Sequence, residues 1–223
     1  MCGRYELSSH PAAIALAFGL ARAPDLAARY NIAPTQRVPI VRLDAAGKRE
    51  LVQVRWGLVP RWAKDPSIGA RLINARAETV AQKAAFRAAY ARHRCLVPAT
   101  AFYEWQPRPG GKQPLHIGMP DDAPFGMAGL FERWRSDEGE VLDTCTIITT
   151  DANEALRPIH DRMPAIIPPE RHARWLDAAN ADAAGLLVPW SGTPLRVYPV
   201  STRVNRVEND DAGVREPIQA QLL

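Results

Sequence analysis

Cys2 is the residue whose position offers the most unusual chemistry in this sequence. An initiator methionine is generally removed when the next residue is small, so we expect the mature chain to begin with an amine and a thiol on one residue. Their unperturbed pKa values, about 7.7–8.0 and about 8.5, leave reactive fractions of both groups near neutral pH. The thiol could attack a carbonyl with the amine as base, or the amine could condense with an aldehyde and the thiol close a thiazolidine. A cysteine at position two could also be incidental, without any role in function.

Three further side chains are candidates for such a site. Asn74 precedes a helix predicted at 78–92 by several residues, so helix capping does not readily explain it. Glu104 lies in an aromatic strand segment, where a carboxylate either faces water at an edge or is desolvated, with a raised pKa suited to proton transfer. His160 stands beside Asp161 in an irregular stretch, which fits an acid/base pair or a structural hydrogen bond.

The composition is that of an ordinary globular protein. Apolar residues make up 47% and charged residues 23% of the 223 residues. No apolar run reaches the length of about 18 residues that a membrane span needs, and the start does not resemble a signal peptide, so we expect a cytoplasmic protein. Three cysteines with no C-x-x-C pair argue against a disulfide framework and against a zinc site.

Arginine dominates the basic residues. Of the 28 lysines and arginines, only Lys48, Lys64, Lys83 and Lys112 are lysine. The planar guanidinium suits phosphate recognition, but the high alanine content indicates that GC-rich coding sequence would give the same bias. Arginines beside candidate site residues are therefore more informative than the total number.

The pattern of apolar residues and turn residues predicts an α+β domain, a mostly antiparallel curved sheet or open barrel with flanking helices. One hairpin is expected from strands at 38–43 and 50–56, with a bulge in its second arm. Further strands are predicted at 94–98, 101–106, 115–119, 126–134, 142–149 and 195–200. Helices are predicted at 11–18, 78–92, 151–156 and 168–178.

Several segments, taken together and in order, resemble one family. They are Met1–Arg4, Trp56–Pro60 with Trp62, Asn74–Thr79, Cys95–Pro98, Phe102–Trp105, Thr149–Thr150 with Asn153, His160–Pro164 and Ser201–Val207. Each motif alone is weak evidence. Together they resemble the SRAP family (SOS response-associated peptidase), the abasic-site processing proteins.

This resemblance implies a single SRAP domain, residues 2–223 after loss of Met1, which cross-links to abasic sites in single-stranded DNA during the DNA damage response. Cys2 is then the nucleophile and forms a thiazolidine with the opened sugar. Asn74, Glu104 and His160 fall where the other active-site residues of the family lie. His160 would shuttle a proton during ring opening, Glu104 would move protons at the amine, and Asn74 would orient the sugar or the amine.

The resemblance also implies contacts to the DNA strand. The arginines in the motifs, Arg4, Arg76 and Arg162, are expected to bind phosphates. Three other motif residues, Trp62, Trp105 and Thr149, are expected to line the DNA groove. Affinity should fall with added salt, and unstacked single strands should suit the aromatic residues. We expect a monomer that associates with the nucleoid when bound to DNA, without cofactor, metal or membrane partner. The resemblance implies no chemical role for Ser201–Val207.

Two other functions fit the same residues. Cys2 could serve as the nucleophile of an N-terminal-nucleophile peptidase or amidase, including one that removes its own Met1. The protein could also bind DNA or modified bases without a covalent bond.

Overall fold

The computed structural model describes residues 2–218 and is built mainly of strands. In chain order, strands β1–β13 are Tyr5–Leu7, Arg29–Ile32, Arg37–Leu43, Arg49–Trp56, Asn74–Arg76, Arg94–Ala99, Ala101–Arg108, Gly111–Gly118, Phe125–Arg135, Val141–Asp151, Arg162–Pro164, Ile166–Ile167 and Arg196–Pro199. Helices α1–α3 are Pro11–Phe18, Arg87–Arg92 and His172–Leu176. The predicted domain, 2–223, extends further, and its residues 219–223 lie outside the described residues.

Five of the strands close into a barrel. β10 pairs with β4, the order continues through β3, β6 and β9, and β9 pairs back with β10. Only the β10–β4 pairing in this ring is parallel. The buried apolar side chains of these strands form the main core, among them Ile40, Val54, Leu96, Met127 and Ile147. The predicted α+β architecture is confirmed.

A second, five-stranded sheet positions the beginning of the chain. Its order is β13-β8-β7-β1-β2, and all its pairings are antiparallel. β1 carries the fully buried Glu6, whose carboxylate lies 2.8 Å from His116 Nε2 and 3.0 Å from Arg215 Nη1. Because a buried carboxylate requires such partners, this network holds β1 against β8 and the C-terminal segment. Cys2 lies just before β1, so the network also restrains Cys2.

The Trp56–Gly57 motif is explained by packing. Trp56 is fully buried, and its indole N–H donates to the Ile73 carbonyl over 2.8 Å. Gly57 has φ 126°, and a Cβ there would lie 2.6 Å from the Gly69 carbonyl oxygen. Only glycine therefore fits, and the motif fixes the loop that leads into β5.

The helices differ from the sequence-based predictions. α1 has its predicted bounds, but the helix predicted at 78–92 is reduced to α2, because the chain at 78–86 forms successive turns. Glu78, which would begin that helix, instead pairs with Arg162. The helix predicted at 168–178 is reduced to α3 and the 3₁₀ turn before it.

Two local predictions are wrong. No helix forms at 151–156, because Asp151 ends β10 and the side chain of Asn153 accepts the Leu156 N–H (3.1 Å) to start a turn. The hairpin of β3 and β4 pairs residue by residue without the expected bulge. Within residues 2–218, every helix is too short or too polar to reach across a lipid bilayer.

Candidate functional site

Cys2 lies at the junction between the barrel and the second sheet. It is fully buried, and its carbonyl oxygen accepts a 2.8 Å hydrogen bond from the Asn74 side-chain amide. Asn74 begins β5, which runs parallel to β10 with Asn74 opposite Ile147. Asn74 is thus a strand residue that ties the main chain of Cys2 to the barrel.

Glu104 is the acidic neighbour of Cys2. It lies on β7, which pairs with β1, and is 4% exposed. Burial raises the pKa of the Cys2 thiol well above its ordinary value, and the Glu104 carboxylate raises it further. Burial also raises the pKa of Glu104 itself to about 7. The structure therefore brings together Cys2, Asn74 and a carboxyl group that can give or take a proton near neutral pH.

His160 lies in the bend just before β11. Its Nδ1 accepts the backbone N–H of Arg162 over 2.9 Å, so the neutral ring carries its proton on Nε2. The exposed Asp161 carboxylate is 2.8 Å from the same Nδ1 and becomes its partner when the ring is protonated. Burial lowers the pKa of His160, which favours the neutral ring.

The loop that carries His160 packs against the strand that carries Glu104. Gln106 follows Glu104 by two residues, so strand alternation directs both side chains to the same face of β7. The Gln106 amide donates to the Pro158 carbonyl over 3.5 Å, two residues before His160. Asp161 is also near enough to raise the pKa of Glu104. His160 therefore belongs to the same region as the other three candidates.

Arg162 is a buried side chain that links the segments around this region. It is 9% exposed, and its guanidinium binds both Glu78 oxygens (2.8 and 3.0 Å), Asp151 (2.6 Å) and the Thr149 carbonyl (2.6 Å). A phosphate would reach it only by displacing a carboxylate. Thr149 is fully buried, with its hydroxyl directed to the Ala75 carbonyl at 3.5 Å. Both residues fix strands around the site, and Thr149 presents no surface to DNA.

Arg4 and Trp105 contact each other and the C-terminal segment. Half-buried Arg4 donates to Asn31 Oδ1 (2.8 Å) and to the Val204 carbonyl (2.6 Å). Its guanidinium carbon is 5.9 Å from the centre of the Trp105 ring. The Trp105 indole N–H donates to Asn205 Oδ1 over 2.7 Å. Sequence reasoning matched Ser201–Val207 to a motif but missed these contacts, since nothing in the motif indicates what it touches.

Arg76 and Trp62 present open surface. Arg76 ends β5, two residues after Asn74, and is exposed. Among residues 2–218, no hydrogen bond or ion pair holds its guanidinium. Trp62 is 60% exposed, and its indole N–H reaches only the Ala84 carbonyl, at 3.4 Å. These two side chains are available to a ligand without rearrangement.

The remaining cysteines lie away from solvent. Cys95 and Cys145 are fully buried in the barrel core, and burial raises the pKa of both thiols. Over the described range, no group of three His, Cys, Asp or Glu side chains could hold a metal ion.

Fold and site together define a class of protein: α+β barrels that bury a cysteine at position two beside an asparagine and a glutamate. The chain belongs to the SOS response associated peptidase (SRAP) family, whose sequence model matches residues 1–207.

Named relatives and a solved structure resemble the chain over most of its length. Abasic site processing protein YoqW of Bacillus subtilis is 41% identical over 97% of this chain and 99% of its own. Abasic site processing protein HMCES of Gallus gallus is 37% identical over 85% of this chain and 66% of its own. The crystal structure of a protein from Bacteroides thetaiotaomicron has a TM-score of 0.84 at 29% identity, covering 98% of this chain and 100% of the other.

Proposed function

We propose that this protein, once Met1 is removed, processes abasic sites by linking Cys2 covalently to the opened sugar in single-stranded DNA. The observation that carries the proposal is the arrangement at Cys2: its main chain is tied to Asn74, and Glu104 has a pKa of about 7. The names of the relatives at 41% and 37% identity support the abasic site as substrate.

The chemistry runs from a closed sugar to a ring that joins protein and DNA. His160, protonated and paired with Asp161, donates its Nε2 proton to the ring oxygen of the abasic sugar. Solvent returns the proton of the C1 hydroxyl to His160, and the hemiacetal opens to an aldehyde. Glu104 accepts a proton from the Cys2 ammonium, and the free amine attacks the aldehyde carbon. Glu104 returns that proton to the departing hydroxyl, water leaves, and the protonated imine that forms passes its N–H proton back to Glu104. The thiol then adds to the imine carbon, its proton passes to the nitrogen, and a thiazolidine results.

The raised thiol pKa favours this order of events. A buried, protonated thiol is a weak nucleophile towards an amide carbonyl, since the thiolate is the reactive species. An imine carbon is far more electrophilic and is formed by the amine first. A cysteine peptidase activity, including self-removal of Met1, is the second candidate, and Glu104 is the base that it would use.

We propose that the strand enters over the exposed Arg76 and Trp62. We propose that Arg4 and Trp105 contact the same strand from the second sheet. Arg162 contributes where phosphate displaces one of its carboxylate partners, and Thr149 acts only through packing. We further propose that the protein works as a one-domain monomer in the cytoplasm and on the nucleoid.

The direct test uses the purified protein and an oligonucleotide with one abasic site. We expect a band that survives heat and detergent, together with an intact mass equal to protein plus DNA minus one water. A tetrahydrofuran analogue, which lacks the aldehyde, should give no such band. Equal bands on both oligonucleotides, or only a salt-sensitive reversible shift on the abasic one, would exclude the thiazolidine.

Arg76→Ala should weaken binding to undamaged single-stranded DNA several-fold. One lost phosphate contact should also lower the slope of log affinity against log salt by about 0.7. Arg22→Ala, at an exposed arginine in the loop after α1, is the matched control and should keep the parent slope. Fluorescence anisotropy over a salt series measures both. A parent-like slope for Arg76→Ala would remove this residue from the proposed route.

A further inference from the structure

The turn at Thr202–Asn205 is fixed firmly to the second sheet. Ser201 caps it by accepting the Arg203 N–H, and Val204 is fully buried in a small cluster with Tyr103 and Val214. The Asn31 amide, itself fully buried, donates to the Val204 carbonyl over 3.2 Å. The turn is therefore a rigid platform rather than a loose end.

This platform holds one aromatic side chain from two directions. Asn205 accepts the indole N–H of Trp105 at 2.7 Å, which fixes the edge of the ring. Arg4 lies over the ring, and the Val204 carbonyl holds Arg4 at 2.6 Å. Trp105 is only partly buried, so part of the residue remains open to solvent. A partly exposed tryptophan held in this way offers a preformed stacking surface.

We propose that Asn205 is a positioning residue that fixes Trp105 for stacking by a nucleobase next to the abasic sugar. This inference rests on the proposed function. Stacking on an aromatic side chain is tolerant of sequence, as a target without a base requires. A ring already fixed in the binding orientation loses less rotamer freedom when DNA binds, so the hydrogen bond from Trp105 to Asn205 should increase the affinity for DNA.

The test compares Asn205→Ala with Thr202→Ala, an exposed side chain in the same turn. We expect Asn205→Ala to raise the half-saturating DNA concentration for cross-linking about fivefold, the value of one ordinary hydrogen bond. The rate at saturating DNA should change less than about twofold, because uniform binding leaves the chemical step unaltered. Thr202→Ala should match the parent in both quantities.

A second background separates positioning from a general structural effect. Trp105→Phe keeps an aromatic ring but lacks the indole N–H, so adding Asn205→Ala to it should change nothing further. Affinity for undamaged single-stranded DNA gives an independent readout. Asn205→Ala should lower this affinity about fivefold when Trp105 is present and should leave it unchanged in the Trp105→Phe variant. Failure of the parent to cross-link would refute the proposed function while leaving this readout intact. Parent-like affinity for Asn205→Ala, or an equal loss in the Trp105→Phe background, would overturn the role of Asn205.

Discussion

Cys2→Ala should lower the yield of heat-stable cross-link at least about a hundredfold, equivalent to roughly 2.7 kcal/mol. Alanine at position two still permits loss of Met1, so the variant keeps the terminal amine and loses only the thiol. The imine then forms but does not close, and it hydrolyses on heating. Borohydride reduction before denaturation should therefore trap an adduct of Cys2→Ala. A denaturing gel with and without borohydride measures both species.

Two controls assign the effect to the terminal aminothiol. Cys145→Ala removes another fully buried thiol and should cross-link like the parent. A chain extended at its N-terminus keeps the Cys2 thiol but blocks the amine, and it should give neither the heat-stable nor the trapped adduct. Heat-stable cross-linking by Cys2→Ala at the parent rate would contradict the mechanism.

Glu104→Gln should slow cross-linking at pH 8 about a hundredfold, at the lower end of the range for removal of a general acid or base. In the parent, the reactive carboxylate form increases as pH rises through about 7, so the rate should rise between pH 6 and pH 8. Glutamine keeps the shape of the side chain but does not titrate, so this inflection should disappear. Rates at saturating DNA across the pH range give the profile. An unchanged inflection in Glu104→Gln would assign the titration to another group.

The same substitution should stabilise the fold. Burial raises the pKa of Glu104 from an ordinary 4.5 to about 7, so the charged form is disfavoured in the folded state. At pH below 4.5 the carboxyl is neutral in both states and does not lower the stability of the fold. As pH rises from 4.5 through 7, the unfolded chain ionises more readily than the folded chain, which costs roughly 3 kcal/mol of folding free energy at pH 8. Glutamine avoids that cost. The melting temperature of Glu104→Gln should exceed that of the parent at pH 8, and the gap should close as pH falls towards 4.5. A lower melting temperature at pH 8 would show that the buried charge is compensated.

The sequence predicted the fold class and the long strands because alternation over six or more residues is a strong signal. It missed β5 and β11, which have three residues each and exist because β10 offers them a partner. It also predicted a helix at Glu78, where local propensity yields to the ion pair with Arg162. Short elements and tertiary ion pairs depend on contacts that no local pattern contains.

The candidate site was predictable in part. The motifs identified Cys2, Asn74 and Glu104, and the structure brings these side chains to one place. The sequence could not separate Arg76 from Arg162, because an arginine open to solvent and a buried arginine paired with carboxylates look alike in a motif. Only exposure and partners distinguish them. Asn205 could not be predicted for the same reason, since its proposed role depends on contact with Trp105, which lies on β7.

The bond from Arg4 to the Val204 carbonyl joins residues 200 positions apart. During synthesis Arg4 leaves the ribosome first, and the carbonyl that holds it is made 200 residues later. Contacts of such separation form late in folding, because the intervening chain must first be ordered. A truncated product would carry the same reactive terminus without the turn that holds Arg4. Completion of the chain through this turn is thus a condition for holding Arg4 in its folded position.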